Sequence, residues 1–373
     1  MKLGNLIKIT SGYPFPSSEL VSNNNGTPVI KIKELKSKTV VFSNDTNFYC
    51  GDKALEEYCV AQGDILVAMT GNPPTKPNLD AMVGRCSRYP YSFTSLLNQR
   101  ICKVESKSPL LLTKYLYYWL SRDGMTEFLA QSSKGSANQA NISNRDILSL
   151  EIDLVSVAQQ SHIVDILGSI DNSIENNEKI AANLEDYAIS KYQEITRGTS
   201  DFISLGEIVD IYDSKRKPLS SRERESRKGD YRYYGATGVL DYVNYYLFDG
   251  EYVLLAEDGS VIDENGYPIV QLVTGQFWVN NHAHIMQAKA GYTNYSLYVA
   301  LKKLSVNTAV TGAVQLKINQ ANLCALEMPR MDENKLLTFN QEIEPLFLKI
   351  IQIRAEIEKL NELKQLYLHK FFS

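Results

Sequence analysis

The five cysteines (Cys50, Cys59, Cys86, Cys102 and Cys324) include no Cys-x-x-Cys pair. That argues against a zinc site and for reduced, partly buried thiols in a cytosol. His282 and His284 stand two residues apart, on one face of an expected strand, with no third ligand in evidence. They read as packed or hydrogen-bonded within the sheet, and no metal site is expected. Positive charge is not in excess: 39 Lys and Arg face 43 Asp and Glu, a net of −4. Such a balance does not advertise a nucleic-acid binder, so any DNA contact has to come from local basic patches. No stretch approaches the length of a membrane span. The opening Met1-Lys2-Leu3-Gly4-Asn5 lacks the apolar run of a signal peptide. A cytoplasmic protein with no membrane partner is the expectation. Also missing are a Gly-rich strand-to-helix turn for S-adenosylmethionine, a phosphate-cradling loop and a nuclease constellation. No catalytic residue is assigned.

What is present suffices for two domains. The 373 residues are 44% hydrophobic and 22% charged, an ordinary globular composition, with 23 tyrosines. The chain also repeats itself. "LGNLIKI" at residue 3 matches "LGEIVDI" at 205, and "GDILVAMTG" at 63 resembles "GEYVLLAEDG" at 250. "LNQRICKV" at 97 resembles "NHAHIMQA" at 281. "QANISNRDILSLEI" at 139 aligns without gaps on "QLKINQANLCALEM" at 315. A long helical stretch follows each copy, giving the order domain, helix, domain, helix. The first globular part is longer: Leu3 to Gln139 spans 136 positions, Leu205 to Gln315 spans 110.

Both globular parts read as mixed α and β. Residues 250–256 and 268–274 look like strands, and "QFWVNNHAHIMQA" alternates enough to be another. "LLTKYLYYWLSRDGMTEFLAQ" reads as a helix or helical pair broken near Gly124, with "NYSLYVALKKL" as its partner. The terminal stretches carry heptads. Leu167, Ile170, Ile174 and Leu184 belong to one seam, which Asn177 and Lys191 interrupt. Ile343, Leu346, Ile350, Ile353, Ile357 and Leu360 belong to the other, which Lys364 interrupts. Such 3–4 spacing calls for a coiled-coil partner, and polar seam residues commonly fix its register. Ile163 to Ile195 would span roughly 50 Å as a helix, more than a compact domain needs. Two like helices in one chain can pair antiparallel and hold two domains apart.

This arrangement resembles the specificity (S) subunit of type I restriction-modification enzymes. "KLGNLIKITSG", "SLGEIVDIYDSKRKP", "YYGATGVLDYVNYYLFDGEYVLLAEDG", "GYPIVQLVTGQFWVNNHAH" and "NISNRDILSLEIDLVSVAQQSHIVDIL" carry the resemblance. It implies an α+β fold with two mixed target-recognition domains in pseudo-two-fold repeat, separated by two long antiparallel coiled-coil helices. Residues 1–155 and 201–330 would be the recognition domains, 156–200 and 331–373 the spacer helices. It further implies a non-catalytic subunit that reads a bipartite, asymmetric site in double-stranded DNA. Methyltransferase (M) and restriction (R) subunits would be its partners in an adenine-N6 methyltransferase and site-specific deoxyribonuclease complex. S-adenosylmethionine, ATP and magnesium would belong to those partners. One departure is visible: Gln160-x-x-Ile163 of the first helix entry has no match in "MDENKLLTFNQEIEPLF".

Asn72-Pro73-Pro74 resembles the base-holding motif of amino-methyltransferases, but Thr75 stands where an aromatic should stack on the flipped base. It reads as a stiffened loop after a strand. Candidate DNA contacts lie elsewhere. Residues 213–232 hold eight Lys or Arg against four acids; Lys215, Arg216, Lys217, Arg222, Arg224, Arg227 and Lys228 could follow phosphates or read guanine. In the first half the candidates are Lys76, Arg85, Arg88, Lys134, Asn138, Gln139 and Asn141; in the second copy, Gln315 and Lys317. Two other readings compete: a self-contained amino-methyltransferase, and a coiled-coil adapter that never touches DNA.

Overall fold

The structure is a computed structural model that describes the chain except residues 23, 24, 52, 54, 74–81, 123, 137, 138, 264, 313, 314 and 373, and the side chains of 134–136. It divides into two compact units, Met1–Glu175 with Glu358–Ser373, and Asn176–Ile357. These units cut across a linear division into domains and helices. The reason is packing: each long helix buries its two ends in different cores.

In the first unit the main sheet runs in the order Ile7–Ser11, Ile101–Ser106, Ile65–Ala68, Cys86–Arg88, Lys38–Thr39. The first four strands are antiparallel neighbours, and the last pairs parallel with Cys86–Arg88. In the second unit the order is Val209–Ile211, Ala283–Ala288, Phe248–Ala256, Val270–Val279, Lys228–Tyr234, Val239–Val243. Again the first four are antiparallel and the fifth joins parallel. The sequence matches therefore fall on equivalent strands. A second sheet of short strands, from Leu20–Val21 to Ser95–Leu97, adds length to the first unit.

The gapless match is also structural. Ser143 and Asn319 begin equivalent short helices, Asn144–Leu148 and Gln320–Cys324. Ser143 forms a capping box with Asp146, and the Asn319 side chain accepts the Asn322 amide, so each satisfies an orphan donor of its helix. Ile142 and Ile318, Ile147 and Leu323, and Ile152 and Met328 are all buried. Each repeat is closed by one main-chain bond: the Leu3 amide donates to the Leu150 carbonyl at 2.7 Å, the Leu205 amide to that of Leu326 at 2.8 Å.

"LLTKYLYYWLSRDGMTEFLAQ" forms two helices, Thr113–Leu120 and Met125–Gln131, broken at Gly124, whose φ of 76° is costly for other residues. Its counterpart is Asn294–Leu301. "QFWVNNHAHIMQA" is not one strand. It ends Val270–Val279, turns at Asn280, where the side chain accepts the His282 amide, and starts Ala283–Ala288.

The long helices are Val157–Thr196 and Glu333–Phe372. Leu167, Ile170, Ile343, Ile350 and Ile353 are buried, and Ile174, Leu184, Leu346, Ile357 and Leu360 half-buried. In the second unit Arg354 pairs with Glu185 at 3.3 Å and Glu342 with Lys191 at 4.0 Å, while Phe339 packs on Tyr192. In the first unit Lys364 is 3% exposed, paired with Asp171 and facing the Tyr118 ring at 5.7 Å. Burial holds its ammonium below the ordinary lysine value, against the pull of Asp171.

Gln160, fully buried, clasps the loop before Thr113–Leu120. Its amide donates to the Leu110 carbonyl at 2.7 Å and accepts the Leu112 amide at 2.9 Å. In the second unit Asn340 does the same job: it donates to the Gly291 carbonyl at 2.8 Å and accepts the Thr293 hydroxyl at 3.4 Å. The missing Gln-x-x-Ile is thus a displacement of the clasp to Asn340. Gln160→Leu should cost about 2 kcal/mol by stranding those loop groups. A lower urea midpoint with faster hydrogen exchange at Leu112 is expected; neither changing would mean the clasp carries no weight.

Candidate nucleic-acid interface

In the first unit the strand Ile65–Ala68 runs into Thr70–Gly71, which joins a small sheet with the hairpin Lys134–Ser136 and Gln139–Asn141. The Thr70 hydroxyl donates to the Asn141 carboxamide oxygen at 2.8 Å. Two sequence features far apart in the chain, the Asn-Pro-Pro entry and the polar hairpin, are thereby neighbours. Gln139 and Asn141 are exposed. Lys76 and Asn138 lie outside the described residues, as does the Lys134 side chain.

Arg85 corrects the expectation. It is 4% exposed and donates to the Leu35 carbonyl at 2.8 Å, so it supports the core rather than reaching a phosphate. Arg88 is half-buried over the Tyr117 ring at 5.8 Å.

The second unit repeats the juxtaposition with other side chains. Asp258, just past the strand Phe248–Ala256, pairs through its main chain, antiparallel, with Lys317 of the pair Val310–Thr311 and Lys317–Ile318. Gln315 is exposed at this hairpin. Lys317 is bound to Glu257 at 3.2 Å. Arg216 is also spent internally: it reaches Glu257 at 2.5 Å, the Ala283 carbonyl at 2.8 Å and the Asp213 carbonyl at 3.1 Å. Burial pushes the Glu257 carboxyl up, but the Arg216 hydrogen bond and neighbouring positive charge hold it below the usual carboxylate value.

His284 lies between the Asp213 carboxylate at 2.5 Å and the Ile318 carbonyl at 2.8 Å. Asp213, Glu257 and His284 cluster closely enough to hold a cation. Arg216 already engages both carboxylates there. His282 is not on the strand with His284; it sits in the preceding turn with Nδ1 2.5 Å from Asp258.

The basic stretch resolves into two classes. Ser220 caps the helix Ser221–Glu225, which lies on the strand Val239–Val243. Arg224 donates to Asp241 at 3.1 Å and to the Leu219 carbonyl at 2.9 Å, and Lys228 reaches Asp241 at 2.7 Å. Arg224 and Lys228 therefore fasten the helix to the strand, and Lys228 keeps an exposed flank. Arg222 and Arg227 are exposed and form no ion pair among the described residues. Lys215 and Lys217 are exposed too, Lys215 over the Tyr212 ring at 4.8 Å. Sequence reading missed Asp241; the one signal was a lone acid in an otherwise apolar strand.

Burial acts to raise the Asp241 carboxyl, but hydrogen bonds from Lys228, the Tyr242 amide and Arg224 outweigh it and hold it below the usual value. A depressed carboxylate stabilises the fold above its unfolded value of about 3.9, and that contribution is lost as pH falls through the folded value. Acidification below about pH 4 should therefore loosen residues 220–228, read by faster hydrogen exchange there. Asp241→Asn should remove that step; an unchanged profile would contradict the pairing.

Comparison with known proteins follows the internal repeat of the chain. The family model of the type I restriction modification DNA specificity domain matches residues 1–186 and again residues 198–366. The chain belongs to this family. Over 125 residues the specificity-domain chain is 39% identical to the Haemophilus influenzae protein named "Putative type I restriction enzyme specificity subunit S.HindORF215P", 34% of this chain and 31% of that one. Over 221 residues it is 24% identical to the EcoBI specificity subunit of Escherichia coli, 57% of this chain and 42% of that one. The matches thus span under half the length of these curated relatives. A crystal structure of the type I restriction-modification S subunit from M. genitalium aligns with 100% of this chain and 95% of its own, at a TM-score of 0.56 and 17% identity. That likeness is one of fold. No helix among the described residues is long and apolar enough to cross a membrane.

Proposed function

We propose that this chain is the DNA-recognising specificity subunit of a type I restriction-modification complex, itself without catalytic groups. Each globular part reads one half of a divided site in double-stranded DNA. The long helices pair antiparallel as a coiled coil, set the gap between the half-sites and offer docking surface to methyltransferase subunits, with restriction subunits completing the assembly. S-adenosylmethionine, ATP and magnesium serve chemistry in those partners.

The observation that carries this reading is the repeat with divergent surfaces. One fold occurs twice, each copy matched by the specificity-domain family, with equivalent loop and hairpin joined in each. Yet Thr70 and Asn141 in one stand where Asp258 and Lys317 stand in the other. Equal scaffolds with unequal side chains suit an asymmetric target, because base edges are told apart by their donor and acceptor pattern. The exposed cations Arg222 and Arg227 supply local positive charge on a chain of net −4.

Charge reversal of both, Arg222→Glu with Arg227→Glu, should weaken DNA binding by the assembled complex more than about tenfold near 0.1 M salt and lower the salt slope by about two. Unchanged gel-shift affinity would remove this patch from the interface. Inserting one heptad into each long helix adds about 10 Å, roughly three base pairs of duplex. Methylation mapping should then find the gap lengthened by about that amount; the original gap would refute the ruler.

A further inference from the structure

The strand Val239–Val243 forms the outer edge of the second unit's main sheet, and it is apolar where it meets water. Leu240 is 56% exposed and Tyr242 49% exposed; Tyr245, just beyond, is 59% exposed and stacks on Tyr246. An edge strand with exposed Leu and Tyr is a site for sticking to other chains, and proteins blunt such edges unless something covers them.

The surroundings say what covers it. The same edge strand carries the helix Ser221–Glu225, fastened through Asp241 on the face opposite Tyr242, and the Asn244 amide donates to the Arg227 carbonyl at 2.7 Å. Arg222 and Arg227 are thus tied to this ribbon and make no ion pair among the described residues. Exposed cations beside an apolar edge fit a polyanion that also offers apolar groups. Duplex DNA does: phosphates flank a major groove whose base edges the rim of a sheet can meet, and thymine presents its methyl there. Two register shifts in the pairing of Lys228–Tyr234 with Val239–Val243, at Lys228/Tyr231 and Tyr233/Tyr234, twist the ribbon locally, as bulges do where a strand must re-aim its side chains.

We infer that the ribbon of Lys228–Tyr234 and Val239–Val243 is the base-reading element of the second unit, with Leu240 and Tyr242 packing on thymine methyl groups in the major groove. Arg222 and Arg227 hold the flanking phosphates. This rests on the DNA-recognition reading above and adds to it which residues set specificity.

The test uses the full chain assembled with methyltransferase subunits. Wild type and the double variant Leu240→Ala, Tyr242→Ala are mapped by methylation sequencing. Wild-type binding is also measured on duplexes with uracil in place of thymine in one half-site at a time, which deletes only methyls. The expected result is a relaxed base preference in one half of the motif with the other half intact. Uracil in that same half should cost wild type about fourfold per methyl, and the double variant nothing. The uracil arm needs no altered protein, so it decides even where the variant folds poorly. An unchanged motif in the variant, equal binding of uracil and thymine duplexes, or half-sites without an A·T pair would overturn the inference while leaving DNA recognition standing. A wild-type complex that methylates no two-part motif would instead bring down the recognition reading and this inference with it.

Discussion

The constraint on which the structure depends is that neither globular part closes its own core. In the first unit the buried cluster around Leu3, Val104 and Leu116 takes in Ile163 and Leu167 from the first long helix, and also Leu368 from the end of the chain. Tyr367, Phe371 and Phe372 pack against the same cluster, and Phe372 meets the Tyr115 ring edge-on at 5.3 Å. In the second unit the cluster around Leu205, Val253 and Leu297 takes in Ala188, Ile189 and Tyr192 of the first helix and Phe339, Ile343, Phe347 and Ile350 of the second. Each helix therefore gives one end to each unit. At about 1.5–3 kcal/mol for a fully buried large apolar side chain, these ends are worth as much as a domain's whole net stability. The Lys364–Asp171 pair adds little to this, since desolvation of Lys364 offsets much of the attraction.

The repeat keeps what closure requires and varies the rest. The Leu3–Leu150 and Leu205–Leu326 bonds, the paired caps Ser143 and Asn319, and the amide clasps Gln160 and Asn340 all satisfy main-chain groups that burial would otherwise strand. Side chains beside the loop after the central strand bond to one another instead, as Thr70 does to Asn141 and Lys317 to Glu257, and there the copies differ. In the proposed function this separation is what lets one architecture read two unlike half-sites.

How much of this was legible in the sequence follows from the same division. The repeat could be read because its matched residues are those that burial and hydrogen bonding hold in place, such as Ile147 and Leu323. The helix seams could be read because 3–4 spacing is a local pattern, and the break at Gly124 because it is local chemistry. Which basic residues were available could not be read. Arg216 is neutralised by Glu257, Arg224 by Asp241, and Arg85 is buried against Leu35. Each partner comes from another strand or loop, so sheet order had to be known first. The turn at Asn280 was hidden by the alternation on either side of it. The clasp at Asn340 was hidden because a different amide, displaced along its helix, does the work of Gln160. The reading edge at Leu240 and Tyr242 was hidden because exposed apolar residues on an outer strand look like core until the sheet order is set.

The most direct test of reciprocal closure is to delete residues 358–373 and follow hydrogen exchange along the whole chain. The account predicts lost protection near the other end of the sequence, in Ile7–Ser11, Ile101–Ser106 and Thr113–Leu120, with Phe248–Ala256 and Val270–Val279 still protected. Full protection of the N-terminal strands, with loss confined to residues 176–357, would contradict it.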